Sequence, residues 1–230
     1  MARFSLADFY FSLDSDALLV EPDTISQLVD KRLVVAAPLL TSIGLYANFW
    51  AGMSDTFYYR RTDDYKKILT RKQVGCFEVP MVHTAVLVDL RHQEADLLTY
   101  AADKVASYPG PVDDIIVFAL SAGLRGVPLH VCNDRHYGAV SLPLEEGQDR
   151  GHDTEILRHT LLELTARSPP LVPDGFPEED LLEIPTPTKL GFDEIFLINL
   201  ERRPDRLERM KYVNRIDIDI SIAIEFPVPR

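Results

Sequence analysis

Apolar and polar positions fall in alternating blocks along the chain, and the blocks predict strands and helices in turn. Phe9–Leu13 is a short aromatic and apolar run with a polar stop behind it, which reads as a buried strand. Pro22-Asp23-Thr24 opens a helix, with Thr24 and Gln27 as a capping-box pair and Ile25, Leu28 and Val29 as its apolar face. Leu33–Ala37 is a second short strand, closed by Pro38. Residues 41–75 read as loop-rich and aromatic, crowded with Tyr46, Phe49, Trp50, Phe57, Tyr58, Tyr59 and Tyr65. Val79–Leu90 reads as a long strand or hairpin arm, Ile115–Ala122 as a helical run behind Asp113-Asp114, and Val127–Val131 as a further strand. Asp153 is expected to cap a helix running to about Ala166, with Ile156, Leu157, Leu161 and Leu164 inward, before Pro169-Pro170 stop it.

This order predicts an α/β domain with a mainly parallel sheet over residues 1–167. Residues 168–190 then change character: six prolines between Ser168 and Thr188 and a Glu-Glu-Asp cluster mark a linker. Residues 191–213 read as a fresh strand running into a turn and a helix, the opening of a second domain. Residues 214–230 alternate Ile with polar positions as a strand does, but a lone strand there has no expected partner, so this stretch reads as a divergent tail.

Composition narrows the function classes. The chain of 230 residues is 46% hydrophobic, enough for one good core. Its net charge of −12, with only the short basic pairs Arg60-Arg61 and Arg202-Arg203, argues against nucleic acid as a partner. No apolar run has the length of a membrane span, and Met1–Leu6 lacks the apolar stretch of a signal peptide. Cys76 and Cys132 permit one disulfide and dictate none, and no Cys/His cluster has zinc spacing.

The pattern richest in chemistry is Asp14-Ser15-Asp16, at the end of the first strand. Two carboxylates one residue apart on a turn suit a hard divalent cation, Mn²⁺ or Mg²⁺, that in turn holds the diphosphate of a nucleotide-sugar. Such triplets also arise by chance in an Asp-rich chain, and Asp217-Ile218-Asp219 is read as one of those. Only the first is expected to follow a strand and precede a helix.

Several stretches together resemble the procollagen galactosyltransferases of glycosyltransferase family 25 and their adhesion-molecule relative. They are Tyr10–Asp16 with Glu21–Thr24, Val35–Pro38, Tyr46–Gly52, Tyr58–Thr62, Gly75–His83, Asp113–Ala119, Val131–Asn133, Tyr137-Gly138 and Gly191–Arg206. The resemblance implies two tandem GT-A domains, Rossmann-like with a mixed sheet, in the endoplasmic reticulum lumen. It implies Mn²⁺-dependent transfer of galactose from UDP-galactose to collagen hydroxylysine. This chain would then hold the later part of the first domain, the linker and the opening of the second; the uridine-binding β-α-β unit would precede Phe9. No retention sequence is expected either, and weak turnover is anticipated.

On that resemblance Asp14 and Asp16 hold the metal, with His159 as a third candidate and His83 as a metal or acceptor candidate. Asp113 or Asp114 orients the acceptor or acts as base, unless it only caps a helix. Tyr46 and Trp50 stack on the sugar or nucleoside, unless they only fill the core. Arg203 and Arg206 match the second domain's opening and grip its nucleotide, unless they lie solvated on a helix. Homo-oligomerisation is compatible with all of this. The competing reading is a non-catalytic member or fragment acting as an interaction or adhesion module.

Overall fold

The computed structural model describes residues 7–167, apart from 61, 106, 107 and 109, together with 196–199, 204 and 221–225. The chain divides into two compact units, Met1–Thr160 and Leu161–Arg230. In the first, the elements run β1 (Phe9–Leu13), β2 (Ala17–Leu19), α1 (Thr24–Asp30), β3 (Val35–Pro38), β4 (Leu40–Thr41) and β5 (Phe49–Trp50). They continue with α2 (Asp63–Leu69), β6 (Cys76–Val79), β7 (Met81–Val82), β8 (Ala85–Asp89), α3 (Asp114–Leu124), β9 (Leu129–Cys132) and β10 (Gly138–Val140), then α4 (Arg150–Arg167), whose last residues belong to the second unit.

The central sheet has five strands in the order β1-β8-β3-β9-β6. Only β3 and β9 pair in parallel; β1–β8, β3–β8 and β6–β9 are antiparallel, so the sheet is mixed rather than mainly parallel. Strand alternation divides the core in two. Val35, Ala37, Val86, Val88 and Val131 face a layer containing Ile116, Phe118, Ala119 and Ala122 of α3 and Ile68 and Leu69 of α2. Ala36, Ala85, Leu87 and Cys132 face the other way, toward Leu28 of α1, Tyr137 and Val140. A three-stranded sheet, β2-β10-β4, lies with that second layer.

Several local expectations change. Phe9–Leu13 is a strand, but an edge strand none of whose residues is fully buried: Phe9, Phe11 and Ser12 are half-buried, Tyr10 and Leu13 exposed. Asp23, not Thr24, stands at the start of α1 and makes no side-chain cap; the Thr24 hydroxyl instead donates back to the Glu21 carbonyl. Ile25 is exposed while Leu28 is buried. The aromatic stretch contains the helix α2, capped by the Thr62 side chain, with Asp63 and Asp64 in its first turn and Lys66 and Lys67 in its last. The long arm expected over Val79–Leu90 is broken into β6, β7 and β8. Asp149, not Asp153, caps α4, accepting from the Gly151 and His152 amides. On α4, Thr160 and Leu164 are buried, whereas Leu157 and Leu161 are exposed.

In the second unit β11 (Phe196–Asn199) pairs in parallel with β12 (Ser221–Glu225). Within the alternating tail, Ser221–Glu225 is therefore a paired strand, and its partner is the Phe196–Asn199 strand of the 191–213 segment. The linker, Asp217 and Asp219 lie outside the described residues.

Edge strand β1 is tied down by charge as well as by its ladder. Asp89, 2% exposed, accepts a forked pair of hydrogen bonds from Arg91 (2.9 and 2.7 Å), whose guanidinium lies 4.5 Å over the Phe9 ring. Those Arg91 hydrogen bonds outweigh burial and hold the Asp89 carboxyl below the usual range. A depressed carboxyl stabilises the fold above its unfolded pKa, and that contribution is lost as pH falls through the folded value. Asp89→Asn is therefore expected to melt below the parent at neutral pH. The gap should close as the medium is acidified below about pH 4, the ordinary Asp range; thermal melts across pH check it, and a pH-independent gap would refute it.

Candidate functional site

The Asp14-Ser15-Asp16 turn joins β1 to β2, so the triplet precedes a short strand rather than a helix. Three main-chain bonds hold it. The Asp14 amide donates to the Thr84 carbonyl (2.8 Å), the Ala17 amide to the Asp14 carbonyl (3.2 Å), and the Ser141 amide to the Asp16 carbonyl (3.3 Å). Its anchor, Thr84, has φ +68°, a backbone region that a β-branched residue rarely enters. The Ala85 amide donates to the His83 carbonyl across it (2.7 Å), making a tight three-residue turn. Strain of this kind persists only where the surroundings over-determine it. Here the surroundings are Asn48, fully buried, whose side-chain amide donates to the Pro38 and His83 carbonyls (2.9 and 3.2 Å) and whose oxygen accepts from the Leu40 amide (2.8 Å). Asn48 escaped the sequence reading, because nothing local distinguishes an Asn in a loop from one that knits three segments.

Charge converges on the turn. Burial, and after it the negative charges of Asp14 and Asp153, hold the Asp16 carboxyl above its ordinary range against an opposing backbone hydrogen bond. Asp153, expected as a helix cap, therefore lies within electrostatic reach of Asp16. Burial pushes the Tyr46 phenol up, and Asp16 and Asp14 add to it. Burial also lowers the His83 imidazole, opposed by Asp14 and Asp113, so the ring is neutral near pH 7. Its Nδ1 is 2.9 Å from the Thr84 hydroxyl, and its ring centre 6.0 Å from that of Tyr46. Burial pushes the half-buried Tyr100 phenol up as well, with Tyr10, Asp14 and Asp114 contributing.

The structure thus brings Asp14, Asp16, Tyr46 and His83 together, with Asp113, Asp114 and Asp153 in the same field. Asp113 caps α3, its Oδ1 accepting from the Ile115 and Ile116 amides (3.1 and 3.3 Å). Asp114 lies in the first helical turn. His159 is exposed on α4, its Nε2 3.9 Å from Glu155. Among the described residues no three His, Cys, Asp or Glu side chains form a metal-binding group, so His159 does not join Asp14 and Asp16. Arg203 and Arg206 lie outside the described residues. The Asp14–Asp16 pair still fits a hard cation, because such ions are commonly held by one or two carboxylates with substrate phosphates completing the shell. A cation would also relieve the repulsion on Asp16.

A cavity of about 530 Å³ is lined by Leu45, Tyr46, Ala47, Phe49, Trp50, Tyr59, Thr62, Asp63, Tyr65 and Lys66. Its wall is a run of ring contacts: Phe49 stacks on Tyr65 (4.8 Å), Tyr65 meets Tyr59 edge-on (5.8 Å), and Tyr59 meets Trp50 edge-on (5.8 Å). The Tyr65 hydroxyl donates to the Leu45 carbonyl (2.6 Å), and burial pushes its phenol up to about 12. Tyr46 and Trp50 therefore share one cavity, and Tyr46 links it to the carboxylates.

A mixed Rossmann-like sheet flanked by helices in this way is the architecture of a GT-A-type glycosyltransferase domain. Residues 1–161 match the family model described as "Glycosyltransferase family 25, N-terminal domain", and the chain belongs to glycosyltransferase family 25. It is 43% identical over 235 residues to a glycosyltransferase 25 family member of Drosophila melanogaster, covering 96% of this chain and 37% of the relative. It is 40% identical over 228 residues to procollagen galactosyltransferase 2 of Homo sapiens, covering 97% of this chain and 36% of that protein. With procollagen galactosyltransferase 1-A of Xenopus laevis the identity is 41% over 229 residues, at 97% and 36% coverage. The chain spans little more than a third of the length of these relatives. No helix among the described residues is long and apolar enough to cross a membrane.

Proposed function

We propose that this chain carries donor-binding carboxylates of a hexosyltransferase that moves galactose from UDP-galactose to hydroxylysine of collagen. The observation that carries the reading is the Asp14–Asp16 turn, anchored on a strained residue and set in a field of further carboxylates. Names of relatives at about 40% identity support the galactosyl group and the procollagen acceptor. Asp14 and Asp16 would hold Mn²⁺, or Mg²⁺, and the ion would supply charge neutralisation for the diphosphate leaving group. The chain's own part is positional. Thr84 and Ser141 fix the turn, and neutral His83 packs beside Tyr46 without adding a cation that would compete for the site. The disulfide between Cys76 and Cys132 supports an oxidising compartment, the endoplasmic reticulum lumen, for the intact protein.

The test is a thermal melt with Mn²⁺, UDP, or both. The parent should gain about 3 kcal/mol of stability at ligand a hundredfold above its Kd, and only with both present. Asp14→Ala and Asp16→Ala should each lose that gain while melting like the parent in buffer. A parent with no response overturns the reading and leaves the interaction module in its place.

A further inference from the structure

The aromatic cavity is separate from the carboxylates: neither Asp14 nor Asp16 lines it. We propose that it is an acceptor-side subsite, taking a proline-rich polyproline II segment of the collagen-type substrate. This rests on the transferase reading above. The wall is mainly ring faces; Thr62, Asp63 and Lys66 are its other polar members, and the Thr62 and Tyr65 hydroxyls are already engaged, the first accepting from the Tyr65 amide and the second donating to the Leu45 carbonyl. A hexose needs several converging hydrogen-bond partners to be held in place. A proline ring needs only an aromatic face, and a polyproline II strand arrives with little conformational entropy left to lose.

Size and charge agree. A cavity of about 530 Å³ has room for roughly one turn of such a helix, three residues over about 9 Å. Tyr46 forms one wall and also lies within electrostatic reach of Asp14 and Asp16. A peptide seated on the rings therefore brings a neighbouring side chain toward a cluster of carboxylates, and a hydroxylysine ammonium is drawn to that field. Leu45, 60% exposed, and Tyr59, 42% exposed, give the mouth an apolar rim. Donor and acceptor then occupy adjoining places without competing.

Trp50, the single tryptophan of the chain, reports on this cavity directly. A short single-chain Gly-Pro-Pro repeat peptide is titrated against the whole chain while Trp50 emission is followed. The expected result is a saturable change that needs no Mn²⁺ and survives Asp14→Ala/Asp16→Ala. Tyr59→Ala and, separately, the rim substitution Leu45→Arg should weaken it about tenfold, as loss of an anchor residue does. Melting curves establish that each variant is folded, and two variants at different places guard against one failing to fold. No emission change with the peptide overturns the proposal. So does a response to galactose or UDP instead, which assigns the cavity to the donor. Peptide binding that persists when the Mn²⁺–UDP response is absent sinks the transferase reading alone; the reverse pattern sinks only the acceptor subsite.

Discussion

Cys76→Ala/Cys132→Ala is expected to lower stability by about 4 kcal/mol, the chain-entropy value for a closed loop of this size. The bond joins residues 56 apart in sequence that stand directly opposite each other on β6 and β9. The loop it closes contains β7, β8 and α3, and with them His83, Thr84 and the Asp113 cap. Loosening it releases the segment that anchors the Asp14 amide. In a unit of this size the loss should lower Tm by roughly 8–16 °C. A reducing agent should move the parent toward the double variant and leave the double variant where it is. Melts with and without reductant check this, and equal Tm values for parent and variant would refute it.

Gly138→Ala is expected to cost on the order of 3 kcal/mol or more, because main chain leaves no place for a methyl group. A Cβ at this position would lie 2.0 Å from the Leu18 carbonyl oxygen and 3.0 Å from the Leu19 Cα. Its φ of +156° adds to the strain. The only relief is to part β10 from β2, the strand that begins immediately after Asp16. The variant should therefore lose the Mn²⁺–UDP response along with stability. Gly123→Ala supplies the contrast. It lies in α3, where an added methyl group would meet nothing within 4 Å, so alanine there should be neutral or stabilising by up to about 1 kcal/mol. Urea or thermal unfolding of the two variants side by side tests the argument; similar effects would refute it.

Much of the local structure was readable because its causes are local. Asp113 caps α3 through the amides two and three residues on, a geometry that follows from an Asp ahead of an apolar helical run. β3 and β9 fall in the short apolar runs, and Asp14 and Asp16 stand on the turn at the end of the first. The helix α2 left a signal that its aromatic surroundings hid: Thr62 as cap, acids in the first turn and lysines in the last. Asp149, one turn ahead of Asp153, offers the same capping chemistry and takes the role. Strand direction was not readable. Ala85–Asp89 pairs antiparallel on both sides, and its apolar run is equally what a parallel strand shows.

The sequence by itself determined the class of domain, the positions of most strands and helices, the carboxylate turn and the acidic balance of the chain. Those properties depend on residue type and short spacing. Tertiary structure alone decided that Asn48 braces the His83–Thr84 turn, that Asp153 bears on Asp16, that Cys76 meets Cys132, and that Tyr46 and Trp50 share a cavity. Each joins residues far apart in the chain, and strand pairing and register set their separation, which no local pattern encodes.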